Sequence, residues 1–173
     1  GRGAAGGTFP GSVGMTFEEY RAQYSIWAVL PSPLVLSVDI RTVGTDHPEC
    51  LAMLLNSEII AINQDRLGES SRLLRQRRND SSTSATAART TNVIEQTWIR
   101  SLVNGDHVVL FFNRAETVTN MAVRWSEIGL QDPEHQHTVR DVWGANSHGV
   151  DLGEFSGGIN ATVQSHTVRL FRI

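Results

Sequence analysis

Two carboxylates stand where a chain of this pattern could do chemistry. Asp39 ends the apolar run Leu34-Val35-Leu36-Ser37-Val38, and Asp65 follows Ile59-Ile60-Ala61-Ile62. The end of a buried strand is where α/β folds place functional groups. A general acid, base or nucleophile could therefore sit at either position. Asp39 alone cannot, for example, hydrolyse a glycoside, a reaction that generally needs two carboxyl groups flanking the bond. The plainer reading of Asp39 is a loop cap or a partner for Arg41. The plainer reading of Asp65 is punctuation between two domains. In that case Asn63, Gln64 and Asp65 satisfy turn amides with their side chains, while Ile59, Ile60 and Ile62 anchor the crossing.

Other constellations are weaker. His47 and Cys50 have half the spacing of a metal site, and no second half exists. His135 and His137 follow Asp132-Pro133 and read as a polar turn entering a strand. Trp98, Trp125 and Trp143 could form a platform for stacking sugars, but each belongs to an apolar strand pattern and reads as core. Arg72, Arg75, Arg77 and Arg78 have no interleaved aromatics, so a solvated face is favoured over a nucleic-acid patch. Gly6-Gly7 and Gly157-Gly158 lack the strand and helix context of a phosphate loop. No nucleophile elbow, P-loop or dinucleotide fingerprint is present. Sequons for N-glycosylation begin at Asn79 and Asn160.

The chain of 173 residues suffices for one ordinary domain, or a small domain and part of another. Its net charge of -3 gives no electrostatic reason to expect nucleic acid or an anionic membrane as partner. No apolar run approaches the roughly 20 residues that span a bilayer. The single cysteine, Cys50, closes no disulfide within the chain. Residues 1 to 14 lack an initiator Met, show no secretory signal and read as Gly-rich loop. A fragment or processed product is the expectation.

The elements that would position these groups change character near residue 68. Residues 16 to 30 predict a helix, opened by a Thr16/Glu19 capping box and closed by Pro31 and Pro33. Phe17, Tyr20, Tyr24 and Trp27 line one of its faces. Residues 34 to 40 read as a strand buried on both faces, as in a parallel sheet. A second helix starts at Pro48-Glu49, with Asn56 as its stop. From about 70 to 93 the chain is polar and aperiodic, an exposed insertion loop. After residue 94 come short strands: a hairpin at Asn104-Gly105, the alternating segment Met121 to Trp125, a strand ending at Gly144, and a closing hairpin around Gln164-Ser165. This predicts an α/β part followed by an antiparallel β-sandwich.

The segment from Gly14 to Arg41, "GMTFEEYRAQYSIWAVLPSPLVLSVDIR", and the later "SEIIAINQDRLG" resemble glycoside hydrolase family 27, the α-galactosidases or melibiases. "FFNRAETVTNMAVRWSEIGL" and "VRDVWG" look like that family's C-terminal domain. The resemblance covers nearly the whole chain and is weakest over residues 1 to 13 and about 70 to 93. It implies that residues 1–68 are the C-terminal end of a (β/α)8 catalytic barrel and residues 69–173 an antiparallel β-sandwich. Residues 16 to 30, 34 to 40 and 47 to 56 would be the seventh helix, eighth strand and eighth helix of the barrel.

The family's chemistry is retaining hydrolysis of terminal α-galactosides by two Asp residues, with carboxyls about 5 Å apart, needing no metal or organic cofactor. On this map both Asp lie upstream of Gly1. The sugar-binding W-N-D-P-D-M segment has "TFPGSV" in its place. No catalytic, cofactor-binding or metal residue is therefore assigned, and the chain alone is expected to be inactive. Its partners would be an α-galactoside in the complete enzyme and the missing barrel portion, in the same or another chain. A homo-oligomer is compatible with this, and a secreted, lysosomal or vacuolar location is implied. The alternative is a non-catalytic β-sandwich module that binds carbohydrate or protein.

Overall fold

A computed structural model describes residues 14–78, 93–130, 135–145 and 147–173. Helix α1 (Phe17–Val29) begins as its cap dictates. The Glu19 amide donates to Thr16 Oγ1 at 3.2 Å, and the Thr16 amide donates to Glu19 Oε2 at 2.7 Å. The helix carries two apolar faces. Ala22, Ser25, Ala28 and Val29 are buried, and their small side chains let the helix close onto a sheet. Tyr20, Tyr24 and Trp27 point instead toward a groove.

Three shorter helices follow: α2 (Val43–Asp46), α3 (Pro48–Leu54) and α4 (Ser57–Asn63). Pro48 opens α3 as expected. Asn56 is more than a stop, because its Oδ1 accepts the amides of Glu58 and Ile59 and so caps α4. The stretch that reads as a junction is thus itself helical. Ile59 and Ile62 are buried, each contributing roughly 1.5–3 kcal/mol as a fully buried aliphatic side chain, whereas Ile60 stays on the surface.

Residues 34 to 40 correct the sequence reading. They form no strand, and Val35, Leu36 and Ile40 are 76%, 52% and 75% exposed. An apolar run becomes a buried parallel strand only when neighbouring strands pair with it, and none does here among the described residues.

The β region has a six-stranded sheet in the order β1-β2-β3-β8-β5-β6 and a two-stranded sheet β4-β7. The strands of the large sheet are β1 (Arg72–Arg78), β2 (Val93–Ser101), β3 (His107–Asn113), β5 (His137–Ala145), β6 (His148–Phe155) and β8 (Thr167–Arg172). Those of the small sheet are β4 (Thr119–Arg124) and β7 (Gly158–Val163). All pairings are antiparallel. The hairpin β2–β3 turns at Asn104-Gly105 as predicted, with Gly105 at φ 92°, a conformation other residues resist.

Two further readings change. The strand β1 lies inside the stretch read as a loop from 70 to 93; residues 79–92 are outside the described ones. Its polarity hides its pairing. Leu74 packs into the core, while Arg75 pairs with Glu127 and Arg77 with Glu95. Strands β7 and β8 are also not a hairpin. The turn through Gln164-Ser165 carries the chain from one sheet to the other, where β7 pairs with β4 and β8 enters between β3 and β5.

The molecule therefore has three layers, with helices on one face of the large sheet and β4–β7 on the other. Val108, Leu110, Val142, Trp143, Val168 and Leu170 pack with the helices. Val109, Phe111, Val139 and Phe171, one residue out of phase, pack with Met121, Val123, Trp125, Ile159 and Val163. The period-two pleat sorts one apolar run into both cores. No helix among the described residues is long and apolar enough to cross a membrane.

Candidate functional site

The Asp39 carboxylate is held by its neighbour. Arg41 donates to it through Nε at 2.9 Å, Nη2 at 2.7 Å and the backbone amide at 3.0 Å. These hydrogen bonds hold the Asp39 carboxyl below the usual carboxylate range. It sits in an exposed turn as an ionised partner of Arg41. Beside this turn, α1, the 34 to 40 segment and α3 leave an open groove lined by Tyr20, Tyr24, Trp27, Leu36, Val38 and Met53, with no carboxylate in its wall. Such a surface can bury apolar side chains; its titratable groups are the Tyr20 and Tyr24 hydroxyls and the Cys50 thiol, which burial and Glu49 hold toward the protonated form.

Asp65 is a structural connector. Its Oδ1 accepts the Leu67 amide at 3.1 Å, and its two oxygens accept the Val103 amide at 3.1 and 3.2 Å. The carboxylate thereby ties the exit from α4 to the loop between β2 and β3. Asn63 acts differently from the expectation that it satisfies amides. Its Nδ2 donates to the carbonyls of Trp27 and Ser32, fixing the end of α1.

The remaining candidates come apart as sites. Trp125 and Trp143 are 0% and 3% exposed, and Trp98 packs against the helix-side core, so no stacking platform forms. Trp125 Nε1 donates to the Phe155 carbonyl, and Trp143 Nε1 donates to Ser25 Oγ. His47 lies 4.0 Å from Glu49, and Cys50 is buried with its thiol pushed up by burial and by Glu49. The rings of His135 and His137 meet edge to face, with His137 against Trp125. No group of three or more His, Cys, Asp or Glu side chains among the described residues could hold a metal. Of the arginine cluster, Arg72 and Arg75 reach Glu127, and Arg77 reaches Glu95. Gly158 is required by packing: a Cβ there would stand 2.3 Å from the Val123 carbonyl oxygen. Gly6-Gly7 and the Asn79 sequon lie outside the described residues.

Sequence reasoning missed the groups that lock helices to sheet. Arg100, on β2, is 2% exposed, and its Nη1 donates to the Ala28 carbonyl at 2.9 Å and the Ile62 carbonyl at 2.7 Å. One cation thus meets the C-terminal turns of α1 and α4, where the helix dipoles favour positive charge. Arg140, on β5, binds Glu58 of α4 through two parallel hydrogen bonds of 2.6 and 2.7 Å and also reaches Asp151 at 2.8 Å. Asn56 Nδ2 donates to the carbonyls of Val142 and Ser147. The visible signal for Arg100 was a charge inside the apolar strand "TWIRSLV"; its partners, 72 and 38 residues away, were not visible.

The chain is similar to known proteins over most of its length. The family model of the alpha galactosidase C-terminal beta sandwich domain matches residues 95–173, and the model described as alpha galactosidase A matches residues 8–65. Alpha-galactosidase 3 of Arabidopsis thaliana is 33% identical over 161 residues, which are 93% of this chain and 32% of that protein. The alpha-galactosidase of Cyamopsis tetragonoloba is 31% identical over 93% of this chain and 34% of its own length. Alpha-galactosidase I from Mortierella vinacea superposes with a TM-score of 0.71 at 29% identity, covering 94% of this chain and 36% of that one. The Saccharomyces cerevisiae enzyme solved with raffinose gives a TM-score of 0.75 at 19% identity, over 97% and 44% of the two chains, a likeness of fold. This chain spans about a third of the length of the curated relatives it matches.

Proposed function

The chain belongs to the α-galactosidase family, and on that premise we propose that it supplies the last elements of a (β/α)8 barrel and the β-sandwich of a retaining glycosidase acting on terminal α-galactosides. The observation that carries this is the bare apolar surface around residues 34 to 40. Trp27 is 38% exposed and Leu36 52%, with Leu34 and Leu54 only partly buried beside them. A barrel strand without its neighbours would leave such a face, because each side of it would normally be covered. The boundary between the two parts falls near residue 68. The rest of the barrel, on the same or another chain, would cover the face and bring both catalytic carboxylates. The 173-residue chain alone is then inactive.

The complete enzyme needs no metal or organic cofactor and works in a secreted, lysosomal or vacuolar setting. Buried Trp125 and Trp143 weigh against the alternative of a sugar-stacking module. The test pairs two assays with a nitrophenyl α-galactoside. Protein from the native source should turn it over, and the 173-residue chain should not. Turnover by the short chain would mean that the carboxylates are placed wrongly. A native protein that hydrolyses no α-galactoside would remove the substrate assignment.

A further inference from the structure

We propose that Asn160 carries an N-linked glycan, which rests on the secretory or vacuolar setting proposed above. Asn160-Ala161-Thr162 is a complete sequon on β7. The pleat turns Ile159 and Val163 into the core and leaves Asn160 and Thr162 exposed on the outer face of the small sheet. No third layer covers that face among the described residues. Directly across from Asn160 stands Ala122, itself exposed, so its cross-strand partner presents only a methyl group.

The amide itself is free for the linkage. Asn56, Asn63 and Asn113 are buried, and each uses Nδ2 to hold two or more carbonyls. Among the described residues, Asn160 Nδ2 donates no hydrogen bond. Exchanging one of its N–H bonds for a bond to sugar therefore breaks nothing inside the fold. Thr162 Oγ1 donates to Asn120 Oδ1 at 2.8 Å, a bond across to β4 that keeps the sequon hydroxyl on the same outward face as Asn160. In the transfer, Asn160 Nδ2 bonds to the anomeric carbon of a lipid-linked oligosaccharide. The bond from that carbon to the pyrophosphate carrier breaks, the amide loses one proton, and the lipid pyrophosphate departs.

Tryptic cleavage at Arg140 and Arg169 isolates a peptide holding Asn160 without Asn79. The full chain, secreted by a eukaryotic host behind a signal peptide, should yield this peptide glycosylated, and N-glycanase in heavy-oxygen water should convert Asn160 to labelled aspartate. Asn160→Gln and Thr162→Ala should abolish the label, while Thr162→Ser should keep it. An unmodified peptide from the secreted wild-type chain overturns the proposal. Unmodified peptide from the native source alone, with the secreted chain modified, also overturns it and locates the failure in the compartment. Galactoside turnover is read separately, so the enzymatic assignment stands or falls without this result.

Discussion

Asp65 accepts the Val103 amide with both carboxylate oxygens, across 38 residues of chain. The bond joins the end of the helical part to the first hairpin of the sheet. Asp65→Ala should lower the stability of the chain by about 1–2 kcal/mol, the loss of an amide–carboxylate hydrogen bond at a half-buried site. Urea unfolding checks this. An unchanged midpoint would mean that the contact is incidental.

Ser25 sits between two partners, donating to the Arg21 carbonyl at 2.7 Å and accepting from Trp143 Nε1 at 2.8 Å. Ser25→Ala leaves a buried indole N–H without an acceptor, which costs about 1–3 kcal/mol. Adding Trp143→Phe removes that orphaned donor. The double variant should lose less than the sum of the two single losses, and strict additivity in a double-mutant cycle would contradict the coupling.

Acid should unfold the protein partly through Glu95. The Arg77 guanidinium, helped by the Thr119 hydroxyl, holds its carboxyl below the ordinary value of 4.5 against the opposing effect of burial. The folded state therefore binds fewer protons than the unfolded one in this range. Its contribution is complete above the unfolded value and is lost as pH falls through the lower, folded one. Glu127 behaves alike, held down first by the Arg124 amide and then by Arg75. Urea midpoints taken downward from pH 5 should fall less steeply for Glu95→Gln than for the wild type. Parallel curves would show that Glu95 is not involved.

The isolated 173-residue chain should self-associate through the surface at Val35, Leu36 and Ile40. Val35→Ser with Leu36→Ser should reduce light scattering and the binding of an apolar dye, while leaving the unfolding midpoint within about 0.5 kcal/mol of wild type. Scattering that does not respond would place the sticky surface elsewhere.

Much of this architecture is legible in the sequence where the signal is local. The cap at Thr16, the prolines after α1 and the Asn104-Gly105 turn each act within a few residues, and all appear as read. What fails depends on distant partners. Leu34 to Ile40 has the composition of a doubly buried strand, yet that description fits Val108 to Phe112 instead, where other strands flank the run on both sides. Arginine-rich β1 looks like a loop until Glu95 and Glu127 arrive from other strands to pair with it. Asn56 reads as a stop because sequence does not show that one residue can close α3 with its backbone amide, donated to the Met53 carbonyl, and open α4 with its side chain. Among candidate site residues, the Asp39–Arg41 pairing was foreseeable at two residues' separation. The buried role of Arg100 was not.

The helix-side core draws Ala28, Ile59 and Ile62 from one part of the chain and Leu110, Trp143 and Leu170 from the other. A boundary at residue 68 consequently separates names more than it separates folding units. Cut there, the large sheet would lose the cover of an entire face, and the helices would have nothing to rest on. The β-sandwich of this protein is therefore not a portable cassette: a lineage that transplanted it would have to carry α1 and α4 with it or find a substitute lid.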